Sequence, residues 1–310
     1  MATDNATTRP RLGFIGMGGM GSRMAARLLD AGYDVTIYNR KRERTQPLAQ
    51  RGAKVAATPA ELAAGVDVVL SSLADDAAVE TVMLGADGAL CAARADTVCI
   101  EMSTVSPRTS RRLYEAAAPR GVHVLDAPVS GTIDVAERGQ LVIFVGGDEP
   151  VYERCRPILG VLGKESFYMG PSGSGATMKL CANTLLGIGV QALAEAIVLG
   201  LKGGLQRERL VAVLGDTIVV SPSQKSKLQN VLAGTYRSAF PLRLMFKDFR
   251  LILNTASELP ATMPITAVAQ QICAVEYARQ SATGVDEDFS SVIRAMEELA
   301  RIGDTENKRP

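Results

Sequence analysis

Leu12-Gly13-Phe14-Ile15-Gly16-Met17-Gly18-Gly19-Met20-Gly21, followed by Ser22-Arg23-Met24-Ala25-Ala26-Arg27-Leu28-Leu29-Asp30, decides the fold class of this 310-residue chain. A short apolar run enters a glycine-rich turn, and a segment with helical apolar spacing leaves it. Gly16, Gly18 and Gly21 have the G-x-G-x-x-G spacing. Between a strand and a helix, the three glycines serve different ends. The first allows a tight turn, the second close approach to a pyrophosphate, and the third close helix–strand packing. Amides at the start of the helix and the helix dipole then attract the phosphates. A plain βα turn is the competing reading. The segment Gly16, Met17, Gly18, Gly19, Met20 and Gly21 is therefore expected to cradle a dinucleotide.

Downstream, strand-like runs at residues 35–38, 66–73, 98–103, 122–129 and 141–145 alternate with helical stretches such as 20–30 and 108–118. That rhythm predicts an α/β domain, a Rossmann-type doubly wound and mostly parallel sheet, over residues 10–172. It stops at Gly173-Ser174-Gly175. Residues 176–202 read as one helix of roughly 40 Å, at 1.5 Å per residue. Its apolar character on most faces implies burial between domains or subunits. Pro222, Pro241 and Pro264 stand near the starts of later helices, where a missing N–H does no harm. Gly284 separates the last two. The second domain, residues 173–302, is thus expected to be all-α and joined through the long helix, with 1–9 and 303–310 as tails.

Composition excludes several classes. Hydrophobic residues make up 47% and charged residues 22%, and 33 acids nearly cancel 34 bases. A nucleic-acid partner calls for a basic excess that is missing here. The five cysteines show no CxxC spacing, which points to free thiols in a reducing compartment, the cytoplasm. No histidine, cysteine and carboxylate cluster has metal-ligand spacing, so no metal is expected. The first eleven residues lack the apolar segment of a secretory signal. The longest apolar region, 185–201, is broken by Gln191 and Glu195, which favours a helix buried in protein over a membrane span.

The end of the second strand chooses the cofactor. NAD enzymes usually carry an acid there for the ribose 2′-hydroxyl, whereas an arginine accommodates a 2′-phosphate. The chain has Tyr38-Asn39-Arg40-Lys41-Arg42. Asn39, Arg40 and Lys41 are thus cofactor-binding candidates, and NADPH is favoured over NADH; Arg42 and Arg44 also fit a solvated charge run. Ligands in such sheets bind beyond the carboxyl ends of strands, where Leu73, Ser103, Thr104 and Ser130 fall. His123, the only histidine, begins its strand and belongs at the opposite edge. Lys179 and Asn183, four apart near the start of the long helix, share one face. A lysine on so apolar a helix is costly unless its charge is used or paired, and burial favours the neutral amine that proton transfer needs. A snorkelling surface lysine is the competing reading.

Five motifs occur in order: Phe14 to Gly21 with Met24-Ala25, Glu101-Met102-Ser103-Thr104, Asp126-Ala127-Pro128-Val129-Ser130-Gly131, Gly173-Ser174-Gly175 through Lys179 and Asn183, and Lys247-Asp248. With them, residues 11–299 resemble the β-hydroxyacid dehydrogenase family. Its members include 3-hydroxyisobutyrate dehydrogenase, tartronate semialdehyde and succinic semialdehyde/glyoxylate reductases and, more distantly, 6-phosphogluconate dehydrogenase. The resemblance implies hydride transfer between nicotinamide and a small carboxylate-bearing aldehyde, ketone or β-hydroxyacid. It makes Lys179 the acid/base and has Asn183 help position the substrate. Ser130, Gly131 and Thr132 would hold the carboxylate, Lys247 would touch cofactor or substrate, and Leu73 and Thr104 would line the nicotinamide half. A homodimer or homotetramer is also implied.

Two departures stand out. Thr132 occupies a position where the family often has glycine, which reshapes the expected pocket. Glu101 replaces a common aspartate, with only a packing consequence expected. Imine reductases resemble the same scaffold but usually replace the lysine, so Lys179 weighs against that alternative. A non-catalytic NADPH-binding protein is the third reading. Lys179, Asn183 and Ser130-Gly131 together weigh against it.

Overall fold

The computed structural model describes residues 9–302; the expected tails at 1–8 and 303–310 lie outside them. Arg9, also read as tail, stacks its guanidinium over the Tyr33 ring at 5.4 Å. The chain forms two compact units, Met1–Lys179 and Leu180–Pro310.

The first unit opens with β1 (Leu12–Ile15), α1 (Gly19–Asp30), β2 (Val35–Tyr38), α2 (Gln46–Ala49), β3 (Lys54–Val55) and α3 (Pro59–Ala64). It continues with β4 (Val68–Ser71), α4 (Asp76–Leu84), α5 (Ala89–Ala92), β5 (Val98–Glu101) and α6 (Pro107–Ala117). It ends with β6 (His123–Asp126), β7 (Val129–Ser130), α7 (Ile133–Glu137), β8 (Leu141–Gly146), α8 (Glu149–Leu162) and β9 (Gly163–Gly170). Helix α9 (Ser174–Lys202) starts in this unit and runs into the next.

Strands β3-β2-β1-β4-β5-β6 lie side by side and parallel; β8 then runs antiparallel to β6 and β7, and β9 is parallel to β8. This is the expected doubly wound, mostly parallel sheet. Alternation explains its two-sided core, because successive side chains point to opposite faces. Leu12 and Phe14 of β1, Val68 and Leu70 of β4, and Val98 and Ile100 of β5 enter one apolar cluster. Ile15, Val69 and Cys99, between or beside them, enter the other. Strand β9 is not among the strand-like runs of the sequence. Lys164 and Glu165 are both exposed, and from Glu165 on its residues are alternately exposed and half-buried, so it lacks the continuous apolar run of a central strand.

The second unit is all-helical: the remainder of α9, then α10 (Arg207–Asp216), α11 (Pro222–Ala233), α12 (Leu242–Glu258), α13 (Pro264–Thr283) and α14 (Val292–Leu299). Val190, Leu193, Ala194 and Ile197 of α9 pack with Leu242, Met245, Phe249 and Ile252 of α12. Spacings of three and four give each helix one buried stripe. Pro222 and Pro264 occupy first helical turns and Pro241 the N-cap of α12, while Gly284 ends α13 with φ +70°. Not all of α9 is covered within the chain: Leu185 and Leu199 are 77% and 75% exposed.

Candidate functional site

Gly16 leaves β1 with φ +101°, and a Cβ there would stand 2.3 Å from the Ser72 carbonyl oxygen and 3.1 Å from the Leu73 side chain. A Cβ on Gly21 would meet the Gly16 carbonyl oxygen at 1.9 Å. Two of the three fingerprint glycines are therefore required by packing alone. Gly18 differs, because a Cβ there would touch nothing within 4 Å. It is the N-cap of the twelve-residue α1, with extended backbone and no side-chain cap. Open space above uncapped amides at the head of a helix fits a pyrophosphate.

Asn39 organises this loop. Its Oδ1 accepts from the Met17 amide at 2.9 Å and its Nδ2 donates to the Lys41 carbonyl at 2.8 Å. Arg40, Lys41 and Arg42 are exposed on the same turn. The side chain read as a direct cofactor ligand thus ties the glycine loop to the cationic turn.

Strand register brings the other candidates of this unit to one edge. Ile15 pairs with Tyr38 and Ser71, Ser71 with Glu101, and Glu101 with Asp126. Gly16 and Asn39 follow directly at that carboxyl edge, and Leu73 and Thr104 lie in the loops just beyond it. His123 pairs with Val98 at the other end of its strand, 3.7 Å from Asp96, as expected.

Glu101 does more than pack. The Ser71 hydroxyl donates to its Oε2, and the Ser103 amide donates to Oε1 at 2.7 Å. Ser103 Oγ in turn accepts from the Leu73 amide at 2.7 Å. Burial pushes the Glu101 carboxyl up to about 7, against the opposing pull of its bonds from Ser103 and Ser71 and with help from the Asp76 charge.

Ser130 is half-buried and pairs with Val142 across β7 and β8. Gly131 has φ +148°, and a Cβ would come within 2.8 Å of Leu141 and Val135. Thr132 is exposed and begins α7 with no side-chain capping bond. The next residue, Ile133, reaches to 3.0 Å of where a Cβ on Gly19 would be, which sets this segment beside the glycine loop.

Asp126 opens the same segment and holds the start of α9. Its Oδ1 accepts from the Gly173 amide and its Oδ2 from the Ala176 amide, both at 2.8 Å. A carboxylate suits the positive end of a helix and satisfies amides with no partner within it. Burial raises its pKa, opposed by those same backbone bonds. Close approach makes Gly175 obligatory, since a Cβ would lie 2.4 Å from the Phe144 carbonyl oxygen and 2.6 Å from that of Asp126. Lys179, half-buried, follows Ala176 by three residues on this anchored turn.

In the second unit Asn183 is 3% exposed and donates Nδ2 to Asp248 Oδ2 at 2.6 Å. Lys247 Nζ stands 3.1 Å from Asp248 Oδ1. Asp248, in sequence no more than half of a motif, orients the Asn183 amide and sets its charge beside the Lys247 ammonium. Neither this role nor the Asp126 anchor is legible in the sequence. The one signal is that each acid is itself a member of a motif.

Residues 11–170 match the NAD binding domain of 6-phosphogluconate dehydrogenase, and residues 173–296 match the NAD-binding domain of NADP-dependent 3-hydroxyisobutyrate dehydrogenase. The 2-(hydroxymethyl)glutarate dehydrogenase of Eubacterium barkeri is 36% identical over 94% of the chain and 96% of its own length. Glyoxylate/succinic semialdehyde reductase 1 of Arabidopsis thaliana is 37% identical over 92% and 98%. Among solved structures, Mycobacterium tuberculosis 3-hydroxyisobutyrate dehydrogenase with L-serine superposes with TM-score 0.83 at 30% identity, covering 93% of this chain and 99% of that one. Imine reductases share the fold at lower identity, 20–24%. Two domain matches in chain order and relatives aligned nearly end to end make this chain a member of the β-hydroxyacid dehydrogenase family, an NAD(P)-dependent oxidoreductase of CH–OH donors.

Proposed function

We propose that the chain interconverts a small carboxylate-bearing aldehyde or ketone and its hydroxyacid with NADPH as the preferred coenzyme, and that Lys179 is the acid/base. The observation that carries this reading is the Asp126 anchor. One buried carboxylate joins the 126–132 segment to the helical turn that bears Lys179. Bound NADPH supplies the hydride. In reduction, the Lys179 ammonium stabilises negative charge growing on the carbonyl oxygen and gives it a proton; in oxidation the neutral amine takes that proton away. Asn183 uses Nδ2 on Asp248, which leaves its Oδ1 as an acceptor for the substrate hydroxyl. Ser130, Gly131 and Thr132 bind the substrate carboxylate, and the uncommitted position of Thr132 at the head of α7 supports that role. Lys247, beside the Asp248 carboxylate, touches cofactor or substrate as a cation.

Preference for NADPH is supported by exposed Arg40 and Lys41 on the turn that Asn39 fastens to the glycine loop. Leu73 and Thr104 line the nicotinamide side. A homodimer or homotetramer is supported by the exposed apolar residues Leu185 and Leu199. Five free cysteines support a cytoplasmic setting.

The test is oxidation of NADPH and NADH with glyoxylate and with succinic, tartronate and methylmalonate semialdehydes, alongside one cyclic imine. NADPH-dependent turnover of a semialdehyde is expected. Lys179→Ala is expected to keep NADPH affinity and lose roughly two to four orders of magnitude in kcat. Turnover of the imine alone, or near-normal turnover by the variant, overturns the assignment.

A further inference from the structure

Among the described residues, Glu101 is a buried acid at the strand edge that the proposed mechanism does not use. It lies 1% exposed at the end of β5, between two serines. Two hydrogen bonds join the ends of β4 and β5 around it, and a third folds the β5 end back onto the carboxylate. Ser71 Oγ donates to Glu101 Oε2, the Ser103 amide donates to Glu101 Oε1, and the Leu73 amide donates to Ser103 Oγ. The last bond sets the backbone of Leu73. Leu73 and the adjoining Ser72 carbonyl are also the atoms against which Gly16 packs, at 3.1 and 2.3 Å from the position of a Cβ. A continuous line of contacts therefore runs from Glu101 through Ser103 and Leu73 to the first glycine of the phosphate loop.

We infer that Glu101 is a positioning residue for coenzyme binding, which clamps the β4 and β5 ends so that Leu73 supports the Gly16 turn and faces the nicotinamide side. The length of the side chain matters, since it spans from β5 to the hydroxyl of Ser71 on β4 while still reaching the Ser103 amide. An aspartate, one methylene shorter, cannot hold both partners without moving a strand end. A glutamine can. Its oxygen accepts from the Ser103 amide and its NH2 donates to Ser71 Oγ, which accepts after rotation of the hydroxyl.

This inference rests on the proposed NADPH site but not on the role of Lys179, and its test reads binding rather than turnover. The dissociation constant of NADPH is measured by fluorescence titration for the full-length wild type, Glu101→Ala, Glu101→Asp, Glu101→Gln, Ser103→Ala and the Glu101→Ala/Ser103→Ala double variant. Far-UV circular dichroism and melting are recorded for each. Glu101→Ala, Glu101→Asp and Ser103→Ala are expected to weaken NADPH about tenfold, the scale of one lost buried hydrogen bond. Glu101→Gln is expected to stay within about threefold. The double variant is expected to be no weaker than about the worse single one, because residues in one network do not add. Folded Glu101→Ala and Ser103→Ala proteins that bind like the wild type overturn the inference. So does a Glu101→Gln protein as weak as Glu101→Ala. If Glu101→Ala does not fold, Ser103→Ala and Glu101→Gln still decide the matter. A wild type that fails to bind NADPH removes the proposed site itself, a distinct outcome.

Discussion

Replacing Glu101 with glutamine is expected to make the protein more stable at neutral pH and to remove a pH dependence that the wild type carries. Burial sets the folded-state carboxyl at about 7, whereas it titrates near 4.5 when exposed. Between these values the folded chain holds a proton that the unfolded chain has released, so stability falls as pH rises through this window. At about 1.4 kcal/mol per pH unit, the loss from pH 4.5 to pH 7 comes to about 3 kcal/mol, and above pH 7 it stays constant. Glutamine is neutral throughout and keeps the bonds to Ser71 and Ser103. The two proteins should therefore respond alike near pH 4.5, and the variant should gain about 3 kcal/mol relative to the wild type by pH 8. The other titratable groups facing Glu101 do not mimic this effect. Burial pushes the Cys99 thiol up to about 12, so it stays neutral across the window, and Asp76, where the raising effect of burial is outweighed by bonds from Ser106 and Thr109 that hold the carboxyl low, is present in both proteins. Urea unfolding at pH 5, 6, 7 and 8 measures the difference, and melting should separate the two by roughly 6 °C at pH 8. A difference that stays constant from pH 5 to pH 8 would refute the buried, proton-holding state of Glu101.

Asp126→Asn replaces one acceptor oxygen with an NH2 that faces a backbone amide of Gly173 or Ala176. It should destabilise the chain by about 1–3 kcal/mol and lower kcat with NADPH affinity unchanged; wild-type kcat in the folded variant would disconnect the anchor from catalysis. Arg40→Ala should weaken NADPH by about tenfold or more and leave NADH nearly unaffected, and equal losses for both coenzymes would sink the 2′-phosphate role. Lys227 and Asp288 form a buried pair at 2.8 Å, with Asp288 also accepting from the amides of Ala239, Phe240 and Ser290. Lys227→Met should cost about 3 kcal/mol in urea unfolding by leaving that carboxylate without its counter-charge; a change below about 1 kcal/mol would show that the amide donors suffice.

What the sequence determined by itself is whatever short-range spacing encodes. Gly16, Gly18 and Gly21 lie within six residues, and strand before and helix after are set by local patterning, so the loop and the packing need for Gly16 and Gly21 were readable. Runs of β-branched residues marked the parallel strands because strands buried on both faces need continuous apolar sequence. Prolines and Gly284 marked helix ends through backbone constraints that need no partner. The weakly patterned β9 escaped, as did the antiparallel direction of β8, which is settled by pairing rather than by composition. The candidate site divides along the same line. Its family motifs were visible, but the bonds that orient them join residues far apart in the chain: 30 positions from Ser71 to Glu101, 47 from Asp126 to Gly173 and 65 from Asn183 to Asp248. An aspartate that anchors a helix looks in sequence like any other aspartate. Only the tertiary structure decided that Asp126, Glu101 and Asp248 are buried hubs, because a buried carboxylate is tolerated only where the fold delivers donors to it from distant strands and helices.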